Sequence, residues 1–548
     1  MFILQMMFLV KMKYYIRSFS LLVCLSLLLF GCGSSSRIIS TPVENIDSSP
    51  LKISPLTESE RNSWSHLDLV TDTIPGMSVD KAYSEVIKNK KGKTVIVAVI
   101  DSAFDIDHED LDDVLWVNQD EIPSNGKDDD NNGYVDDIHG WNFIGDTYYE
   151  QFEYVRLLAS GNKSHPRYAE AEEKYNVELQ KYSQLKINSS QLLQDIISSD
   201  EAVSTYLNKK EYTKKDVAAI KTDDKSLSES VALINYIFGL DYGSVKAFKA
   251  AVEGDLVNIN TRLDYHLNKN FKGRKTGDDP NDIYDVGYGN NNPRPTVKKE
   301  SHGTHVSGII LAERNNNIGI KGVANNAKLM TIRSVPNGDE YDKDVALAIR
   351  YAADNGAHII NMSFGKSFSL HSDWVKDAIV YAASKDVLIV HGSGNDGHDI
   401  DIHKNFPNDT AGNGTEVADN FITVGALTPR YGSGMVADYS NFGKNNVDIF
   451  APGSEIYSAM PENEYKLQNG TSMSAPNVSG VAALIRSYYP SLTASQVKQI
   501  IMDSGLPIDT KVVVGEAREI KNLTEISKSG KIVNAYNALV LASQIANQ

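Results

Sequence analysis

An α/β domain with a mostly parallel sheet flanked by helices, interrupted by a large helical insertion, is what this 548-residue sequence predicts. Three observations carry that expectation. Apolar, β-branched runs such as "KTVIVAVID" (93–101) recur along the chain, as strands buried on both faces do. Helical patterns lie between several of them, the alternation that builds a parallel sheet. Residues 146–297 break this pattern and read as helices with polar spacers.

The N-terminus reads as an export signal over residues 1–31. Lys11, Lys13 and Arg17 precede the apolar stretch "FSLLVCLSLLLFG" (19–31), which is too short for a bilayer span of ~20 residues. "LFGC" (29–32) resembles a bacterial lipobox. That resemblance implies cleavage before Cys32, lipid attachment to its sulfur, and a membrane lipoprotein of the outer membrane or cell envelope. After Cys32, "GSSSRIISTPVENIDSSP" (33–50) is polar and without periodicity, and residues 32–75 are expected to be a lipidated flexible tether. Cys24 and Cys32 are the only cysteines, so neither disulfides nor Cys-based zinc sites hold the body together. The net charge of −17 excludes the basic footprint of a nucleic-acid binder.

The folded domain is expected over 76–145 and 298–548, with 146–297 inserted between. "KTVIVAVID" ends on a carboxylate, Asp101. Within the insertion Tyr168, Tyr175 and Tyr182 repeat at seven-residue spacing, "VALINYIFGL" (231–240) suits a buried helix, and "TGDDPNDIYDVGYGNNNPRP" (276–295) is loop. Strand runs resume at "AKLMTIRSV" (327–335), "AHIINMS" (357–363), "DVLIVHGSG" (386–394), "FITVGAL" (421–427) and "VDIFAPG" (447–453). In "DVALAIRYAADNGA" (344–357) the apolar residues Val345, Ala348, Ile349 and Ala352 form a helical face, and Gly356 marks its end.

One stretch carries an unusual density of hydroxyls: "NGTSMSAPNVSGVAALI" (469–485) holds Thr471, Ser472, Ser474 and Ser479. Helix capping accounts for some of them, since Ser and Thr oxygens accept orphan N–H groups and Pro476 suits a first turn. A serine nucleophile instead needs a base, and the base an orienting carboxylate. "SHGTHVSGIILA" (301–312) supplies His302 at a helix start, "VIDSAFD" (99–105) supplies Asp101 at a strand end, and "HGSGNDG" (391–397) supplies the amide of Asn395. Four such pieces in order on one α/β pattern are hard to explain as unrelated turns and caps.

These motifs resemble the subtilase family of serine proteases, in its Asp, His, Ser chain order, across 94–145 and 298–505. "INMSFG" (360–365) and "APGSEIYSA" (451–459) add to the match. The resemblance implies a serine endopeptidase in which Ser472 is the nucleophile, His302 rather than His305 the general base, and Asp101 its orienter. Asn395 would donate to the oxyanion, and Ser363, Phe364 and Gly365 would form the strand edge that binds extended substrate. Proteins or peptides are the implied substrates, and a monomer the expected state. Ala103 replaces the family's usual Gly, His391 and Gly392 stand where small apolar residues are common, and "MSAP" replaces "MASP"; none removes a catalytic group. The alternative is a catalytically silent subtilase-like binding module. Motif and order weigh against a lipase or esterase of the α/β-hydrolase type, whose nucleophile sits in a G-x-S-x-G elbow and precedes the histidine.

Calcium is expected at two places. By the same resemblance, "NNNIGI" (315–320) matches the family's calcium loop, with Asn316 binding through its side chain, Ile318 and Ile320 through carbonyls, and Asp110 as the carboxylate. Independently, "DDDNNGYVDD" (128–137) sets Asp128, Asp130 and Asn132 at alternate positions before Gly133, with Asp136 beyond, in the manner of an EF-hand loop. The bidentate Glu of that loop is missing, because His139 stands in its place.

Overall fold

The computed structural model describes residue 52 and residues 54–411 and 414–546. The expected signal segment and Cys32 lie outside the described residues. Two compact units emerge: Tyr154–Phe271, and a sheet unit made of the described residues up to Glu153 and from Lys272 on.

The sheet unit is α/β, as expected. Its first seven strands are β1 (Val95–Asp101), β2 (Gly140–Asn142), β3 (Ala327–Arg333), β4 (Ile359–Met362), β5 (Leu388–Gly392), β6 (Phe421–Leu427) and β7 (Ile449–Pro452). A hairpin of β8 (Ile456–Met460) and β9 (Glu464–Gln468) follows, then β10 (Leu506–Pro507), a second hairpin of β11 (Val512–Val514) and β12 (Glu519–Lys521), and β13 (Lys531–Ile532). The central sheet has nine strands in the order β10-β13-β7-β6-β5-β4-β1-β3-β2. All neighbours are parallel except β10 and β13.

Helices α1 (His302–Leu311), α2 (Asp342–Asp354), α3 (Ser372–Ser384) and α4 (Thr471–Tyr488) cover the two faces. The period-2 alternation of β1 sorts its side chains between them. Val95, Val97 and Val99 enter the core that holds Val306 and Ile309 of α1 and Val478 and Val481 of α4. Ala98 and Ile100 enter the opposite core, with Ile349 of α2 and Ile379 of α3. The chain runs from β1 to β3 on one side and then to β4 on the other, so the strand order reverses about β1. Open α/β sheets place their sites beyond the strand C-termini at such a reversal.

Two expected boundaries are corrected. The flexible tether expected over 32–75 does not fit the part of that span that the structure describes. Thr57 and Glu60 form a capping box on helix Glu58–Ser63, and Trp64, Leu69 and Ile74 are buried in the main core. The Trp64 indole donates to the carbonyls of Ser454 and Glu455, at 3.0 and 3.1 Å. An apolar residue at every few positions was enough to dock this segment, although it shows no regular period. The helical unit is also narrower than 146–297. Asn142 exchanges main-chain hydrogen bonds with Asn290, and Trp141 donates to the Tyr288 carbonyl at 2.9 Å. Arg274 pairs with Asp278 and Asp344. The loop after Phe271 thus belongs to the sheet unit.

The helical unit contains Tyr168–Leu207, Lys225–Gly239 and Val245–Thr261. Its core is small: Ile196, Val203, Val217, Ile234, Ile237, Val245, Phe248 and Val252. Two tyrosines of the repeat make cation–π contacts, with Lys269 4.0 Å from the Tyr175 ring and Arg262 5.0 Å from Tyr182. Among the described residues no helix is long and apolar enough to cross a membrane.

Candidate active site

Parallel register brings the candidate residues to one edge of the sheet. Ile100 pairs with Met362 across β1 and β4, and Met362 with His391 across β4 and β5. Asp101 and Ser363 therefore end two neighbouring strands, ~5 Å apart by the usual interstrand spacing, and Asn395 follows the third.

Asp101 is buried. Its Oδ1 lies 2.8 Å from His302 Nδ1 and accepts from the Ser102 N–H at 2.7 Å. Oδ2 is buried with no hydrogen-bond partner among the described residues. His302 opens α1, and 35% of its side chain is exposed. The close approach needs Gly303, where a Cβ would meet the Ala103 carbonyl at 2.5 Å. Burial works to lower the His302 pKa, but the Asp101 charge and hydrogen bond outweigh it and hold it above the ordinary value. His305 differs. It is fully buried, bonds the Lys466 carbonyl at 3.0 Å, and is driven by burial down to about 3. It is a neutral framework residue.

The hydroxyls of α4 separate in the same way. Ser474 donates to the Ala451 carbonyl and Ser479 to Asn361 Oδ1. Asn361 donates to Ser363 Oγ, which donates to the Ser472 carbonyl at 2.9 Å. Thr471 donates through both its N–H and Oγ1 to Asn395 Oδ1, at 2.8 and 3.1 Å. Ser472 alone of the four is partly exposed. Its Oγ donates to the Ser363 carbonyl at 3.0 Å, and bonds His302 nowhere among the described residues.

Because two Thr471 donors claim Asn395 Oδ1, the amide is oriented with Nδ2 left to donate elsewhere. The point where a Cβ on Gly470 would sit lies 3.5 Å from Asn395 Nδ2 and 3.6 Å from Ser472 N. Both N–H groups thus border one small space beside the start of α4, kept open by a glycine at φ +151°. The positive end of the helix dipole points the same way.

Ser363, Phe364 and Gly365 follow β4. The Phe364 carbonyl bonds His391 Nε2 at 2.8 Å, and burial pulls His391 down to about 4, so it donates as a neutral imidazole. Gly365 takes part in no main-chain hydrogen bond among the described residues. Two supports escaped the sequence reading. Asn441 Oδ1 accepts from the N–H of Asp396 and His398, and its Nδ2 donates to the Ser393 carbonyl. Asn405 donates to that same carbonyl at 3.0 Å. Neither lies in a run that marks it, since an Asn in a loop looks like any turn former.

The subtilase family model matches residues 92–524. The chain belongs to the subtilase family. Subtilisin-like protease 1 of Plasmodium falciparum (isolate 3D7) is 35% identical over 261 residues, covering 43% of this chain and 36% of the relative. A thermophilic serine proteinase of Bacillus sp. (strain AK1) is 34% identical over 262 residues, covering 46% and 59%. Subtilisin DY of Bacillus licheniformis is 36% identical over 198 residues, covering 36% and 67%. The match thus spans about a third of the Plasmodium relative and more than half of the two bacterial ones.

The two cation loops are brought together to different degrees. Asp110 is buried, with Oδ1 accepting from Asn316 Nδ2 at 2.7 Å and Oδ2 from the Ile320 N–H at 3.0 Å. Burial raises its pKa, and among the described residues no cationic side chain pairs with it. Asn316 Oδ1 accepts from the Ile318 N–H, and it is the amide Nδ2, not this oxygen, that faces Asp110. In the second loop Asp128 and Asp130 gather with Glu121, their oxygens within 4.8 Å of one another. Asp136 does not join them: its carboxylate accepts from the N–H groups of Asn125 and Gly126. Asn132 Oδ1 is taken by the Tyr134 N–H. Glu121 precedes the loop, which is why the loop pattern did not reveal it.

Proposed function

We propose that this protein is a serine endopeptidase acting through Ser472, His302, Asp101 and Asn395. The observation that carries the reading is the 2.8 Å bond between Asp101 and His302, at strand ends one register step from the Ser363–Ser472 contacts.

For attack, the Ser472 hydroxyl turns from the Ser363 carbonyl toward His302 Nε2, a tightening common when substrate binds. Oγ bonds to the peptide carbonyl carbon as Nε2 takes its proton, and the carbonyl electrons move to oxygen. The oxyanion falls between Asn395 Nδ2 and Ser472 N–H, donors already oriented in the free protein. Asp101 keeps the Nδ1–H tautomer and stabilises the imidazolium. His302 then protonates the departing amine as the C–N bond breaks, and water repeats the sequence on the acyl-enzyme. Gly365, with its main-chain groups unengaged, supports assigning Ser363–Gly365 as the edge that pairs with extended peptide. Labelling with a fluorophosphonate probe tests the assignment. Wild type should be labelled and Ser472→Ala should not; absence of Ser472-dependent labelling would favour a silent binding module.

Calcium fits Asp110 by chemistry: a buried carboxylate without a cationic partner, beside the carbonyl-bearing loop of Ile318 and Ile320, is relieved by a hard cation. Asp128, Asp130 and Glu121 offer a second oxygen cluster. Calcium would hold these loops to the sheet unit and takes no part in the chemistry. Export, lipidation at Cys32 and attachment to a bacterial membrane are proposed from the sequence. A Cys32→Ser form recovered equally in membranes would show that the apolar stretch is the anchor.

A further inference from the structure

A buried lysine follows the substrate edge directly. In "SFGK" (363–366), Lys366 has a side chain only 1% exposed. A lone buried ammonium is costly, so it must be paired. Its Nζ lies 2.5 Å from Glu153 Oε2 and 3.0 Å from Asp342 Oδ1, and donates to the Glu340 carbonyl at 2.7 Å. Both acids are buried as well. Asp342 Oδ2 accepts from Ser369 Oγ and from the N–H groups of Leu370 and His371, at 2.9, 3.0 and 2.8 Å. Burial works to raise the Asp342 pKa, yet Lys366 and these donors leave it lowered. The main chain of Lys366 is fixed too, exchanging hydrogen bonds with Phe406 in both directions at 2.9 and 2.8 Å.

The segment is therefore pinned at both ends. Ser363 is tied to Ser472, and Lys366 to Phe406, Glu153 and Asp342, while Gly365 between them keeps its N–H and carbonyl unengaged among the described residues. Buried ion clusters contribute little net stability against an apolar replacement, whereas removing one partner leaves a buried charge uncompensated, so Lys366, Glu153 and Asp342 are held to one another. Nothing in the proposed chemistry uses Lys366. What it fixes is the register and spacing of the groups that an extended peptide would meet.

We propose that Lys366 is a positioning residue whose buried cluster with Glu153 and Asp342 holds the Ser363–Gly365 edge ready for extended peptides, and so sets the preference for long substrates over short ones. This rests on the proposed assignment of that edge as the substrate-pairing strand. The test compares Lys366→Met and Glu153→Gln with wild type, in the full chain, on a tetrapeptide anilide and a single-residue ester. The ester engages Ser472 but does not reach Gly365. In Lys366→Met the ratio of kcat/KM for the tetrapeptide over that for the ester should fall about tenfold, the worth of one lost main-chain hydrogen bond, and the fall should lie in KM. Glu153→Gln keeps the shape of the cluster and should fall less, in the same direction; it decides the matter if Lys366→Met does not fold. An unchanged ratio, or equal losses in kcat on both substrates, would overturn the proposal. Wild type lacking Ser472-dependent fluorophosphonate labelling would overturn the reading of the site itself, a result distinct from an unchanged ratio.

Discussion

The sheet unit and the helical unit meet the same burial requirement by different means. The sheet buries apolar side chains on both faces, and polar groups at its strand ends hold one another: Ser479, Asn361 and Ser363 form one chain of hydrogen bonds that ends on Ser472. The 40-residue helix Tyr168–Leu207 buries only Ala171, Ile196, Ser199 and Val203, and Val177 and Ile187 are more than half exposed. The difference teaches where chemistry can reside. A reacting group must be held by several neighbours at once to stay within fractions of an ångström, and in this chain the sheet unit supplies such neighbours. The helical unit is held together by a thin apolar seam and surface contacts, which suits a part that can vary.

The comparison breaks if turnover does not depend on the sheet unit's strand ends. Ser472→Ala or His302→Ala should each reduce kcat by something on the order of 10^6, and the double variant should be no worse than the poorer single. Multiplicative losses in steady-state assays would mean that the residues act independently. Next in size, Asn395→Ala should cost roughly 10²–10³ in kcat with KM nearly unchanged. A raised KM with kcat intact would make Asn395 a substrate-binding group.

The pH profile sharpens the same contrast. In the proposed mechanism His302 must be neutral to accept the serine proton, and Asp101 outweighs burial to hold its pKa above the ordinary imidazole value. Activity should therefore fall about tenfold per pH unit below an inflection that lies above that value, and Asp101→Asn should move the inflection down. Stability carries the opposite sign. A pKa raised in the folded state favours folding fully below the unfolded imidazole pKa, and that contribution is lost as pH rises through the folded one. An inflection that Asp101→Asn leaves where it stands in the wild type would contradict the Asp101–His302 pairing.

Calcium should act on the sheet unit. Ions at 100 times their dissociation constant stabilise a folded state by about 2.7 kcal/mol, which corresponds to a Tm shift of several degrees for a domain of this size. EGTA should lower the midpoint, calcium restore it, and Asp110→Ala blunt the response in thermal scans. A midpoint indifferent to both reagents removes calcium. The smallest effect is expected from the helical unit. Replacing 154–271 by a short linker should leave hydrolysis of small peptides in place. If the unit selects protein substrates, the ratio of casein to peptide hydrolysis will change by a few fold; an identical ratio would mark it as decoration.

Much of the site was legible because its residues sit in contiguous motifs. "VIDSAFD", "SHGTHVSG" and "NGTSMSAPNVSG" each join a strand end or a helix start to a small-residue stretch that permits close approach, and such stretches stand out in a linear reading. Glu121, Asn441 and Lys366 did not stand out. Each acts through partners remote in sequence: Lys366 meets Glu153 across 213 positions, and no local pattern records that pairing. The docking of the segment around Trp64 is hidden for a related reason, since a single indole anchoring a segment leaves no periodicity to detect.

By itself the sequence determined the α/β class, the strand runs, the order of the chemical groups and the family likeness, because those follow from local apolar patterning and short motifs. Tertiary structure decided which hydroxyl remains partly exposed, which histidine meets a carboxylate and which is sealed away, and where the helical unit begins and ends. It also decided that Asp136 closes a turn while Glu121 faces Asp128 and Asp130. Those outcomes depend on burial and on hydrogen bonds between strands that register brings side by side, quantities that no window of the chain contains.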